Sequence, residues 1–357
     1  MGAMRIAHID LPLPFCQAGL AGYSDRAMRL VARRRGCPYA VTEALLDITM
    51  LSGGKGLKRS IDINDEDHPI AGQIIGSEPD QMARAACLLR QAGYDVIDLN
   101  FACPVKKIRN KARGGHMLDD VPRAIAILKA VRDALPSQTP TTLKLRRGFD
   151  ESAEAEDGFY RIFDSAWDNG YAAVCVHART VDQKYIGPSD RSFLKSLKAR
   201  YPDRIILGSG DVFAAEDVVR MLSETRVDGC WIARGAIGNP WIFRQAEHLL
   251  RGGAAADLRP PSIHDQRDAL CEHFAIAMEI HGEQLAARRM RKMGIKYARF
   301  HPQATLVKTD FIAVTGLRTW KAVLQKWYTH DGPGVWPDPK AADEVNTDDH
   351  PQACEVV

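Results

Sequence analysis

From about residue 14 to residue 250 the chain repeats one pattern, a short run of apolar positions followed by a longer stretch whose apolar positions recur at helical spacing. The runs predict strands near 15–20, 40–43, 70–75, 95–100, 141–146, 172–177, 204–209 and 228–233. The runs are short and largely apolar, and no two of them occur without a helical stretch between them. The intervening stretches carry helix-start chemistry. Ser24-Asp25 can cap a helix over 25–35, Ser77 with Pro79 and Asp80 opens 79–92, and Asp120 with Pro122 opens 121–134. Met82, Ala85, Ala86 and Leu89 mark the inner face of the second of these. Strand–helix units that fill about 240 residues match a (β/α)8 barrel. A doubly wound sheet would use fewer strands and a glycine-rich turn after the first. No element is predicted before residue 14.

The pattern then changes. Residues 251–262 (RGGAAADLRPPS) read as a linker that ends a barrel domain over 1–250, and 263–330 read as helices only. In this second unit 264–281 has apolar residues at helical spacing, and Ala286–Arg299 is a basic helix with Met290, Met293, Ile295 and Tyr297 available for burial. Trp320, Trp327 and Tyr328 are its expected small core. Residues 331–357 are acidic and are predicted to be a disordered tail.

Composition adds limits. A hydrophobic fraction of 45% supports a large core. The formal net charge of +3 conceals a basic body, because the acidic tail offsets it. That balance suits a polyanionic partner. Eight cysteines (16, 37, 87, 103, 175, 230, 271 and 354) form no CxxC pair, so neither a metal site nor a disulfide framework is expected. No apolar run approaches the ~18–20 residues of a membrane span. A cytosolic protein, with no membrane or DNA partner and monomeric, is the expectation.

Chemistry is sought where barrels place it, at the carboxyl ends of the strands. The stretch Asp95–Leu118 (DVIDLNFACPVKKIRNKARGGHML) leaves its strand at Asn100 and then presents Cys103, Pro104 and the cations Lys106, Lys107, Arg109, Lys111 and Arg113. A thiol just past the apolar run, beside so many cations, points to function rather than packing. The other strand ends carry Gln73, Lys144 with Arg146, His177 with Arg179, Ser209-Gly210-Asp211 and Ala233-Arg234. Lys144 points either into the barrel or toward the helices; if buried, an anion or an electron-rich ring is its economical partner. The glycine loops after strands seven and eight suit a phosphate. A strand-end histidine such as His177 is more often a hydrogen-bonded core residue than a catalyst.

Taken together, AGLAGYSDRAMR, TEAL, GQIIGSEP, DLNFACPVKK, TLKLRRG, VHART, LGSGDV and IARGAIGNPWIF, in that order, resemble the tRNA-dihydrouridine synthase family. The resemblance spans about residues 14–330. It implies an FMN-binding barrel followed by a helical RNA-binding domain, acting as an oxidoreductase on uridines of tRNA with NADPH or NADH as reductant. It implies Cys103 as proton donor and Asn100 as a contact to the uracil, joined on the substrate side by Lys106, Arg146 and Arg179. Gly19, Leu20, Ala21, Gln73, Lys144, His177, Ser209, Gly210, Asp211, Ala233 and Arg234 would hold the flavin, and Arg291, Lys292 and Lys296 the RNA. The chain departs from the family where Gly19-Leu20 stand for Pro-Met, Ser209 for Asn, and Ala233 and Ala102 for Gly. Reduction of uracil requires a hydride at C6 and a proton at C5. An ordinary thiol, with pKa ~8.5, is mostly protonated at neutral pH and can serve as the acid. Two other readings compete: an FMN barrel acting on ribosomal RNA or a free pyrimidine, and a flavin- or RNA-binding protein without turnover.

Overall fold

In the computed structural model, residues 2–54, 57, 61–104 and 113–337 are described. The centre is a closed parallel barrel. Its staves are β3 (Phe15–Gln17), β4 (Ala40–Val41) with β5 (Leu45–Leu46), β6 (Ile70–Ile75), β7 (Val96–Phe101), β8 (Thr141–Arg146), β9 (Ala173–His177), β10 (Ile206–Ser209) and β11 (Gly229–Ile232). Each pairs in parallel with the next, β4 and β5 both pair with β6, and β11 pairs with β3 to close the ring. The expected strand at 15–20 is shorter because the chain leaves the ladder at Ala18 and bends over the barrel mouth.

The helices around the barrel are α1 (Arg26–Arg33), α2 (Asp47–Ser52), α3 (Pro79–Gln91), α4 (Val121–Ala134), α5 (Ala153–Asp168), α6 (Arg191–Arg200), α7 (Ala215–Thr225) and α8 (Ile242–Leu250). Asp25 caps α1 by accepting from the Met28 N–H, and Asp120 caps α4 by accepting from the Arg123 N–H. The α3 start differs from expectation: Glu78 occupies the cap without a side-chain bond, and Pro79 sits at the first helical position. Met82, Ala85, Ala86 and Leu89 are all fully buried, as their spacing predicts.

One element was not foreseen. β1 (Met4–Ile6) and β2 (Ile9–Leu11) form an antiparallel hairpin. Met4, Ile6 and Leu11 join the barrel interior, in one cluster with Cys16, Tyr39, Val96, Cys175, Leu207 and Trp231. A Cβ on Gly229, at the amino end of β11, would lie 2.5 Å from the Met4 sulfur. The hairpin therefore closes the amino-terminal end of the barrel.

Beyond residue 250 the structure is helical: α9 (Ile263–His281), α10 (Glu283–Tyr297), α11 (Ala304–Ile312) and α12 (Leu317–Trp327). Ser262 and Asp265 form a reciprocal capping box at the start of α9. Trp320 and Tyr328 are buried there, Trp320 stacked on Phe274 with ring centroids 4.8 Å apart. The first residues after 330 are seated rather than loose. The Gly332 carbonyl accepts from the Ile263 N–H at 3.0 Å, and the Val335 N–H donates to Phe300 at 2.9 Å. This places 331–337 against the helices; residues 338–357 of the expected tail lie outside the described residues. Among the described residues no helix is long and apolar enough to cross a membrane.

Candidate active site

The barrel closes with alternate side chains inward, and register decides which. Asn100 pairs with Lys144, Lys144 with Cys175, Arg146 with His177, and Ser209 with both His177 and Trp231. Cys175 and Trp231 belong to the interior cluster. Lys144 is thus directed inward, which settles the two orientations the sequence leaves open.

Asn100 is the hinge of the strand-four loop. Its amide oxygen accepts from the N–H groups of Ala102 and Cys103, each at 3.0 Å. Its amide nitrogen donates to Gln73 Oε1 at 2.7 Å. Gln73 Nε2 in turn donates to Asp98 Oδ2 at 2.8 Å, and Thr142 Oγ1 donates to Asp98 Oδ1 at 2.5 Å. The carboxylate and the two backbone N–H groups fix the polarity of this chain from both ends. Asn100 Oδ1 accepts two bonds and is filled, so what Asn100 has left for a ligand is N–H, and Gln73 retains one N–H and one lone pair. Cys103 itself is half-buried. Its carbonyl accepts from the Gly115 N–H at 2.9 Å, so the thiol is held from the far side of the loop as well. Arg113 lies 3.7 Å from Asp47 in a buried pair that ties the end of the same loop to α2. Lys106, with Lys107, Arg109 and Lys111, lies outside the described residues.

Sequence reasoning alone does not single out Asp98, although a carboxylate inside the run VIDL is a charge that must find partners. Burial pushes its pKa up to about 6, against the hydrogen bonds from Thr142 and Gln73 and the nearby Lys144. Its native pKa exceeds its unfolded one, so stability is fully present below about pH 4 and is lost as pH rises through about 6. Asp98→Asn removes that titration. Urea unfolding is expected to show the variant gaining about 1–3 kcal/mol on the wild type between pH 4.5 and pH 7; an unchanged difference would contradict this assignment.

Lys144 is a cation of the interior whose chemistry calls for a partner. It is buried, its ammonium finds no oxygen acceptor among the described residues, and it stands 5.7 Å from the Trp231 ring centroid beside the Cys175 thiol. Burial lowers its pKa. His177 is held neutral: burial, then Arg146, Lys144, Arg179 and Arg234, push its pKa well below the usual value. Its Nε2 lies 3.2 Å from an Arg179 nitrogen that can only donate, so the ring proton sits on Nδ1.

The remaining arginines hold loops. Arg146 donates to the carbonyls of Ala102, Thr180 and Lys184, each at 2.7 Å. Arg179 makes a two-oxygen contact with Asp211 at 2.8 and 2.7 Å, and Arg234 reaches the same carboxylate at 3.3 Å. Asp211 also accepts from the Ser189 N–H at 2.7 Å, so its carboxylate is neutralised by donors instead of facing a ligand. Gly210 has φ of 120°, and a Cβ there would lie 2.3 Å from Ser189 Oγ. Ser209 is buried, and Ala233 leads into a turn at Arg234, whose guanidinium stacks 5.0 Å from Tyr185 and 4.9 Å from Phe213.

At the first strand, a Cβ on Gly19 would lie 2.2 Å from the Thr42 carbonyl oxygen and 3.3 Å from Gln73 Oε1. The backbone approaches too closely here for any side chain without a shift of the chain. Leu20 N–H donates to Ser24 Oγ at 2.7 Å, and Ala21 follows it in the same half-buried turn. Of the predicted basic-helix residues, Arg291 is exposed, Lys292 places its ammonium 3.5 Å from the Tyr23 ring centroid, and Lys296 is buried with its backbone against Gly238. The helix thus meets the barrel mouth on its Lys292–Lys296 side and leaves Arg291 to solvent.

The donor set fits an electron-rich, anionic ring system: an unsatisfied buried ammonium, amide N–H groups and a neutral imidazole N–H, with arginines around them and a thiol at the rim. Among the described residues no cluster could hold a metal ion.

Residues 16–329 match the dihydrouridine synthase (Dus) family. The tRNA-dihydrouridine synthase B of Xanthomonas campestris pv. campestris is 35% identical over 311 residues, covering 87% of this chain and 90% of that one. The Pseudomonas putida tRNA-dihydrouridine synthase B is 31% identical over 344 residues, covering 94% and 99%. Among solved structures, a 2-naphthoyl-CoA reductase complex superposes with a TM-score of 0.55 at 12% identity, over 70% of this chain and 52% of that one. Morphinone reductase in complex with tetrahydroNAD gives 0.51 at 13%, over 71% and 90%. At such identities these two speak for the fold alone.

Proposed function

The chain belongs to the dihydrouridine synthase family, and from that premise we infer that it is an oxidoreductase that reduces uridines of tRNA to 5,6-dihydrouridine. The finer reading is that the barrel mouth holds FMN, with NADPH or NADH as the source of electrons. When bound, the flavin supplies a hydride to C6 of the uracil. Lys144, Gln73 and His177 would face its ring, and Lys144 carries the argument, because its buried ammonium meets no oxygen acceptor among the described residues and a ligand would bring one. The strand-seven and strand-eight loops, through Ser209, Gly210, Ala233 and Arg234, would hold the phosphate by their N–H groups and the arginine.

Cys103 would deliver the proton to C5. Its position is set from both sides, by Asn100 on its N–H and Gly115 on its carbonyl, so little reorganisation is needed at the moment of transfer. Asn100 has a spare amide N–H, which suits a ring carbonyl of the uracil. The base must leave its stack to reach this depth, at a cost of a few kcal/mol. Contacts from Arg291 and the helical part to phosphates would offset it. Domain limits of 1–250 and 263–330 follow this division of labour, with the protein acting as a monomer.

The test is optical. Protein supplied with FMN is followed anaerobically as NADPH and then unmodified bulk tRNA are added. Bleaching by NADPH and recovery only on adding tRNA is expected. Recovery with ribosomal RNA or a free pyrimidine instead would reassign the substrate, and a protein that cannot take up FMN would end the reading.

A further inference from the structure

The loop after β9 carries a feature that the site as described does not use. Residues 184–187 are pinned at both ends by buried guanidinium groups: Arg146 binds the Lys184 carbonyl at 2.7 Å, and Arg179 Nε binds that of Gly187 at 3.0 Å. Between them Tyr185 turns inward, 5.5 Å from the Arg146 guanidinium and 5.0 Å from that of Arg234. Ile186 turns outward and is 76% exposed, the highest value among the exposed large hydrophobic residues described.

A single exposed apolar residue on a surface ordinarily means nothing. This one differs in two respects. It sits on a loop tip held by buried arginines, so it cannot fold back to cover itself. It also stands beside the acid. The guanidinium that binds the Lys184 carbonyl binds the Ala102 carbonyl too, one residue before Cys103, so the two loops are neighbours across a single side chain. Arg146, Arg179 and Arg234 lie beneath with one carboxylate, Asp211, shared by the last two, and Lys184 and Asp182 stand on the same loop. An apolar tip backed by three guanidinium groups, and linked across Arg146 to the loop that carries Cys103, suits a nucleic acid from which a base has been withdrawn. The vacated position in the stack is apolar on both faces and flanked by phosphates.

We propose that Ile186 fills the stacking position left by the target uridine, packing against the neighbouring base while the uracil occupies the site. The proposal rests on the reading of this site as one that draws a uridine out of RNA. Filling the gap lowers the cost of extraction without adding a phosphate contact, so it acts on the base-withdrawn complex and not on electrostatic attraction.

The test uses the full chain loaded with FMN and reduced by NADPH, and follows single-turnover reoxidation by unmodified bulk tRNA over a range of tRNA and salt concentrations. Ile186→Ala is expected to lower the apparent second-order rate constant about five- to fifty-fold, with the slope of its logarithm against log salt unchanged because no phosphate contact is lost. Ile186→Met should stay close to wild type. Reduction by NADPH and reoxidation by oxygen should be the same in all forms. Reoxidation of Ile186→Ala within twofold of wild type, an equal loss in Ile186→Met, or a changed salt slope would each overturn the proposal. Failure of tRNA to reoxidise the wild-type protein would instead strike the reading on which it rests.

Discussion

Replacement of Cys103 by alanine is expected to slow reoxidation of the reduced protein by tRNA by ~10²- to 10⁴-fold, the range that a positioned general acid contributes. The rest of the site should be unaffected. The contacts that place residue 103 are made by its backbone N–H and carbonyl, and alanine keeps both. Flavin uptake and the rate of reduction by NADPH should therefore match wild type, and tRNA should bind with unchanged affinity. Stopped-flow absorbance separates the two half-reactions. Equal loss in both would mean that Cys103 supports the cofactor rather than donating a proton, and no loss in either would remove it from the chemistry. Cys103→Ser is a stricter version, since it keeps the shape and a proton but holds that proton far more tightly.

The second large effect has opposite signs in two measurements. Lys144→Met exchanges a buried ammonium that has no oxygen acceptor among the described residues for a side chain of similar length that has no charge to desolvate. In the flavin-free protein this should be stabilising, by about 1–3 kcal/mol, because the unpaired buried polar group is removed. In the presence of FMN the variant should lose affinity by about ten- to a hundred-fold, the worth of a hydrogen bond to a charged donor. Thermal unfolding with and without FMN reads both: the variant should melt higher than wild type alone and gain less from the flavin. A lower melting temperature without flavin would mean that Lys144 already has its partner within the protein.

The barrel was legible because eight short strand runs alternate with helical stretches along the chain, and the runs at 70–75 and 141–146 coincide with β6 and β8. The hairpin at the start was not. Its strands are three residues each, too short to show a period, and its turn is made by Ala7 at φ of 51° without the Asn-Gly signal that marks tight hairpins. The residues that stand at the strand ends were legible, and their wiring was less so. A cysteine, an asparagine and a lysine at strand ends can be seen in a sequence; which amide oxygen faces which N–H cannot. Arg146 and Arg179 show the same limit. As sequence they are cations at a barrel mouth and invite a substrate role, whereas in the fold their donors reach the carbonyls of Ala102, Thr180, Lys184 and Gly187 and the carboxylate of Asp211. Burial of those guanidinium groups depends on contacts across the barrel, which no local pattern encodes.

The hairpin of Met4–Leu11 has a kinetic meaning. With Met4, Ile6 and Leu11 packed into the floor, the barrel is closed at the amino end of its strands and open only at the carboxyl end. On the proposed reading, a dinucleotide that brings electrons and a nucleotide that takes them would both enter by that opening. Two guests that need one doorway would be received in turn, the first leaving before the second enters. The floor of the barrel, far from any reacting atom, would thereby shape the order of events at its rim.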